Sequence, residues 1–263
     1  MLRLSQYRTG ELLGFIAWPI VASIISLSFP FSPFVSLFVF YGPPCVYLCF
    51  KNPKHVPKAG IFAMIIGAPF MFIFDYIAHL TGAWHLNNTL PRILTYVAIE
   101  DVIFLVVWMF FLIMFYENFL KHSVNERLWT PRMKYAVVFM IILLVSFMLL
   151  ITNFPRVLNI PYFYLIIGCV AGLIPIVIEI FKYPRIFLTF LGTGLYFFYF
   201  HLIHELIGLK LGWWSFPGTQ FIGHITLFDL TFPFEEFLFW ITLGSFTFLS
   251  YFRLLGTTQN NEK

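Results

Sequence analysis

Eight apolar stretches, each close to the length of a bilayer crossing, run through this chain, at about 12–29, 33–50, 59–80, 94–118, 134–152, 160–181, 186–209 and 232–252. A helix needs roughly 20 mostly apolar residues to cross a bilayer. In lipid its backbone groups must bond within the segment, so an all-α integral membrane fold is expected. Composition points the same way. Only 11% of residues are charged and 60% are hydrophobic, whereas about 25% of a soluble domain is charged. Eight spans use most of the 263 residues, so no soluble domain of useful size is expected. The first stretch follows Arg3 and Arg8 but lacks a convincing cleavage site, and it reads as a retained helix. Cys45, Cys49 and Cys169 fall inside expected spans and do not form a disulfide framework.

Basic residues set the expected orientation, because cytoplasmic loops keep an excess of Lys and Arg. With both termini inside, the inner side holds Arg3, Arg8, Lys51, Lys54, Lys58, Lys121, Arg127, Arg132, Lys134, Lys182, Arg185, Arg253 and Lys263. The outer side holds only Arg92, Arg156 and Lys210. The net charge of +4 is therefore a topology signal, and no nucleic-acid partner is read from it. The expected setting is a bacterial or archaeal plasma membrane. Its lipid is the expected surrounding, and a homo-oligomer is compatible with such a surface.

Self-similarity is evident at a period of about 130 residues. Phe50-Lys51-Asn52-Pro53-Lys54 returns as Phe181-Lys182-Tyr183-Pro184-Arg185, and Asp75 with Gly82-Ala83-Trp84 returns as Glu205 with Gly212-Trp213-Trp214. Glu100-Asp101-Val102-Ile103-Phe104 then returns as Glu235-Glu236-Phe237-Leu238-Phe239. Any one block is ordinary likeness between apolar helices, but three in the same order indicate duplication. The expected halves are residues 1–130 and 131–263, with four helices each. An even number of helices inserts both halves in the same orientation, as parallel tandem repeats with a site at their interface.

The acids divide by depth. Glu11, Glu117, Glu126, Glu179 and Glu262 fall at inner ends, loops or the tail, and Asp229 falls in an outer loop. Asp75, Glu100, Asp101, Glu205, Glu235 and Glu236 fall inside spans or near their outer ends, with Glu100 and Glu235 expected a turn or two below the outer entrances. A charge at a span's centre costs about 2.5 to 3.5 kcal/mol on insertion scales, so such a group normally faces the bundle interior and has a function. The bland alternative is that some of these acids cap helices or pair with His79, His201 and His204. Asp75 with His79, and His201 with Glu205, share a helix face at a spacing of four. A dry setting and a neighbouring carboxylate both favour the protonated acid, which is then a proton donor.

No GxGxxG, P-loop, HExxH or DDxxD motif is present. His201, His204 and Glu205 have no second metal box, and neither a metal nor another cofactor is expected. The 36 Phe serve mostly as lipid-facing bulk and interfacial belts. Clusters such as Tyr196-Phe197-Phe198-Tyr199-Phe200 could also stabilise a carbocation.

These residues resemble the small membrane type of carotenoid lycopene cyclase, known as two short subunits or as fused tandem domains. The resemblance rests on Pro233-Phe234-Glu235-Glu236-Phe237-Leu238-Phe239-Trp240, similar to that family's Pro-x-Glu-Glu-x-x-Phe signature, and on its counterpart Ala98-Ile99-Glu100-Asp101-Val102-Ile103-Phe104. The two acid-to-Trp blocks agree with it. Ala98 stands where proline is expected, and Glu205 where aspartate is usual. The resemblance implies a redox-neutral isomerisation that closes acyclic lycopene ends into β-ionone rings. Glu235 or Glu100 would be the proton donor, and Glu236, Asp101, Asp75 and Glu205 the further catalytic acids. Trp84, Trp214, Phe104, Phe239, His79 and His201 would contact the isoprenoid substrate. Three other readings compete. One is a related terpenoid or meroterpenoid cyclase, and another is a proton-coupled small-molecule transporter. The third is an intramembrane peptidase, whose motif expects an arginine that Glu235-Glu236-Phe237-Leu238-Phe239-Trp240 lacks.

Overall fold

Prolines and small polar caps start the helices. The computed structural model describes residues 6–29, 31–87, 89–120 and 129–256, without the side chains of 6–8 and 185–188. The expectations for Arg3, Lys121, Glu126, Arg127, Glu262 and Lys263, and for the side chains of Arg8 and Arg185, lie outside the described residues. Helix α1 spans Gln6–Ser28, and α2 spans Pro33–Lys51 with the Ser32 hydroxyl accepting the Val35 N–H. The third column runs through α3 (Val56–Phe62), a π-turn (Ala63–Gly67) and α4 (Ala68–Leu80). Next come α5 (Ile99–Phe119) and α6 (Pro131–Asn153), the latter capped by Thr130. A sixth column joins α7 (Phe163–Ile167), a π-turn (Gly168–Leu173) and α8 (Ile174–Lys182). It is followed by α9 (Pro184–Lys210), a π-turn (Glu236–Thr242) and α10 (Gly244–Gly256). A proline at the first helical position loses only an N–H that had no partner there.

Six of the described helical segments are long and apolar enough to cross a membrane. A seventh is reached if the π-turn and α10, bent by 50°, make one span. The protein is accordingly an all-α, multi-pass membrane protein. The interior prolines leave visible traces. Pro44 inside α2 has no N–H for the Phe40 carbonyl, and Trp18 Nε1 donates to that carbonyl instead, at 2.9 Å. The π-turns at Ala63–Gly67 and Gly168–Leu173 directly precede the helical turns that begin with Pro69 and Pro175, where widened backbone bonding takes up the missing donor.

Two expected spans begin later than the hydropathy suggests, since residues from 94 and from 232 were assigned to helix. Strands β2 (Arg92–Ile93) and β3 (Val97–Ala98) occupy the first region. Strands β5 (His224–Leu227) and β6 (Leu230–Pro233) occupy the second. Left-handed Leu94 and Thr95 turn the first hairpin, and left-handed Phe228 and Asp229 turn the second. Each acid pair therefore stands in the first helical turn after its hairpin rather than a turn or two below the entrance.

The segments before these hairpins are also alike. Gly82 and Gly212 end α4 and α9 in left-handed conformations, φ 69° and 66°. Ala83 N–H reaches back to Ala78 O, and Trp213 N–H to Gly208 O, giving both helices the same C-terminal cap. Strands β1 (His85–Leu86) and β4 (Trp214–Ser215) then pair antiparallel, with His85 opposite Ser215. Deeper in the bundle, α5 and α9 pack through aromatic rings: Phe115 stacks on Tyr196 at 4.4 Å, and Phe111 meets Phe197 at 4.9 Å. The aromatic run at 196–200 is thus mainly helix-to-helix packing, and none of its rings lines the cavity described below. The three cysteines are free.

Candidate functional site

The acid-bearing helix ends meet around one cavity of about 90 Å³. Glu100, Asp101, Glu205 and Glu236 line it, with Trp84, Trp214, Phe104, Trp108, Tyr164 and Trp240 as its main aromatic walls and His201 and His204 among its polar ones. Glu235, Asp75, Phe239 and His79 do not line it. Phe239 packs against Gly168 instead, where a Cβ would collide with its ring.

The two members of each acid pair divide their work. Glu100 Oε1 accepts from the Thr89 N–H at 2.6 Å, the Leu90 N–H at 2.6 Å and the Thr89 hydroxyl at 3.1 Å. Glu235 Oε1 accepts the Ile222 N–H at 2.7 Å. Both leading acids thus tie the preceding loop to the start of a helix, where the dipole also favours a carboxylate. Asp101 and Glu236, one residue on, face the cavity. Asp101 is 4% exposed and Glu236 8%. Glu100 also reaches the cavity, and its Oε2 has no partner; the Oε2 of Glu235 is likewise buried and unpaired.

Trp84 Nε1 donates to Asp101 Oδ2, and Trp214 Nε1 to Glu205 Oε1, each at 3.1 Å. The two indoles stack at 5.8 Å and 26° to roof the space. The repeated acid-to-Trp spacing therefore returns two different bonds, because the backbones differ at one atom. In the first half the Ala98 N–H donates to Asp75 Oδ2 at 2.6 Å, leaving Trp84 for Asp101. Pro233 holds the matching place in the second half and has no N–H, and there Trp214 serves Glu205.

Asp75 is fully buried. One of its carboxylate oxygens lies within 4.8 Å of one of Asp101. His79 Nδ1 lies 2.7 Å from Asp75 Oδ1 and 3.0 Å from the Asp75 carbonyl. The N–H is aimed at the carbonyl, so Oδ1 has a close neighbour without a straight hydrogen bond. His79 Nε2 accepts from the Leu86 N–H at 3.3 Å, which puts the ring's proton on Nδ1. One donor atom each from Asp75, His79 and Asp101 lies within 4.8 Å of the others, a spacing that could hold a metal. A metal on Nδ1 would need the proton on Nε2, facing the Leu86 N–H, so the ring's bonding opposes it.

Sequence reasoning missed Trp108 and Tyr164, because an aromatic residue inside an apolar helix carries no distinguishing pattern. On the cavity wall, Trp108 packs on His201 at 4.3 Å, and the Tyr41 hydroxyl lies 3.5 Å from His201 Nδ1. Trp108 Nε1 and the Nε2 atoms of His201 and His204 are buried without partners. No protein-family model, curated protein or solved structure matches this chain.

Proposed function

We propose that the protein is a membrane cyclase for isoprenoid ends, of the small lycopene cyclase type that its acid motifs resemble. The observation that carries this reading is that Asp101 and Glu236 line one cavity walled by indole and phenyl rings. One of these acids protonates a terminal carbon–carbon double bond of the substrate. The cation is attacked by an internal double bond, which closes the ring, and a carboxylate on the other side removes a ring proton. One proton enters and one leaves, so the reaction is redox-neutral. Trp84, Trp214, Phe104 and Trp108 line the cavity, where aromatic rings favour a passing cation by about 0.5 to 2 kcal/mol each, and exclusion of water protects it from capture.

The same reading includes two parallel four-helix halves with both termini inside, in a bacterial or archaeal plasma membrane. Matched left-handed glycines at 82 and 212, and a strand pair that sets His85 against Ser215, are what a two-fold between such halves would produce. The acids then stand at the outer ends of their helices.

Expression in a lycopene-accumulating bacterium, with pigments separated by HPLC, tests the proposal. Ring-bearing products are expected, with Asp101→Asn and Glu236→Gln each reducing turnover by about 10²-fold or more. Glu235→Gln should mainly loosen the outer loop. Unchanged lycopene beside well-folded protein would reject the substrate. Full activity in both Asp101→Asn and Glu236→Gln would reject the chemistry. One observation favours a shorter terpenoid substrate as a second reading: about 90 Å³ is small beside the roughly 300 to 1,000 Å³ of most ligand pockets. Mass spectrometry of lipids co-purified with the protein separates the two.

A further inference from the structure

The geometry points to a proton lane in the first half, running from the outer surface through His79 and Asp75 to Asp101, that reloads the cavity acid after each turnover. The inference rests on the cyclase reading for its purpose but on contacts for its path. Asp101 faces the cavity, and one of its carboxylate oxygens lies within 4.8 Å of one of the fully buried Asp75. Asp75 Oδ1 sits 2.7 Å from His79 Nδ1. The His79 side chain is itself only 6% exposed, but its ring lies 6.2 Å from that of His85, which is exposed. Arg92 and Glu100 flank this lane, and Glu205, Glu236, His201 and His204 share the cavity that Asp101 faces. Arg92 is held by the Tyr96 and Leu86 carbonyls, and Glu100 by the loop N–H groups.

Among the described residues the second half has no matching lane to the surface, and His201 and His204, which share the cavity with Glu205, are both buried. Leu209 takes the place of His79, counting from the matched glycines, and Pro233 takes that of Ala98. Glu205 there meets an indole rather than an imidazole. A relay that reaches the surface on one side only gives the cavity a direction: the proton enters through the first half, and the ring proton taken by Glu236 or Glu205 leaves to water when the product departs.

The transfers balance. Water or His85 gives a proton to His79 Nε2 as the long bond from Leu86 releases. A small turn of the ring aligns Nδ1–H with Asp75 Oδ1, and that proton passes on. Asp75 passes a proton to Asp101 as the Asp101 proton moves to the substrate carbon; a flip of the neutral His79 ring then restores Nδ1–H, and no oxidant or reductant takes part.

The test uses the full chain in nanodiscs, with infrared spectroscopy following the hydrogen–deuterium exchange of protonated carboxyl bands on transfer to D₂O. Asp75→Asn and Asp101→Asn identify the bands. His79→Leu, which copies the second half, should slow their exchange by roughly tenfold or more, and added imidazole should restore it in His79→Ala. Exchange equally fast in His79→Leu would overturn the lane. So would slow exchange that imidazole leaves unchanged in a His79→Ala protein of normal stability. In activity, single-turnover cyclisation should survive His79→Leu while the steady-state rate falls. Loss of both together would assign His79 a structural role. Normal carboxyl exchange kinetics with no conversion of lycopene would sink the substrate assignment and leave the lane standing.

Discussion

Ala98→Pro isolates a single hydrogen bond. Ala98 has φ −79° and ψ 126°, close to the roughly −65° that proline imposes, and the preceding Val97 is already in a strand, as a pre-proline residue prefers. Pro233 shows that the corresponding turn accepts the ring. What the substitution removes is the N–H that donates to Asp75 Oδ2 at 2.6 Å, on a side chain with no exposure. An unpaired buried acceptor costs about 1 to 3 kcal/mol, and hydrogen bonds inside membrane proteins reach about 1.7. Proline returns about 0.4 to 1 kcal/mol by restricting the unfolded chain. The expected net loss is about 1 kcal/mol, read from reversible unfolding in mixed micelles titrated with SDS. Adding Ala98→Pro to Asp75→Leu should cost almost nothing more, because the acceptor is already gone. Pro233→Ala should stay within about 0.5 kcal/mol of wild type. Equal losses from Ala98→Pro with and without Asp75 would refute the argument.

Gly208→Ala should destabilise by about 1 to 3 kcal/mol, since its Cβ would fall within the Trp214 ring; near-ultraviolet circular dichroism should show the stacked indoles separating. Glu179→Gln should cost about 3 to 5 kcal/mol in the same SDS titration, because Glu179 is 0% exposed and Arg253 Nε lies 2.9 Å from its carboxylate. Phe228→Gly should stabilise by about 1 kcal/mol in a thermal melt, because Phe228 is 86% exposed with φ 50° in a two-residue hairpin turn.

The membrane class and the helices were legible in the sequence because both depend on local quantities. Apolar run length decides whether a segment can cross a bilayer, and prolines and caps decide where it starts. Repetition of the acid, glycine and tryptophan blocks also pointed to one layer of carboxyls, and four of the six line a common cavity. Which four they would be was not legible. Glu100 and Asp101 are adjacent and chemically similar, and only the hairpin before them makes the first a ligand for backbone N–H groups and turns the second inward. Hydropathy could not mark that hairpin, since Ile93, Leu94, Tyr96, Val97 and Ala98 run on into the apolar helix without a polar break. The unequal bonding of Trp84 and Trp214 likewise follows from one missing N–H at Pro233, whose effect depends on a carboxyl 23 or more residues away in the chain. Periodicity records which side chains share a helix face. Which backbone donor reaches which oxygen is settled only when distant segments pack together.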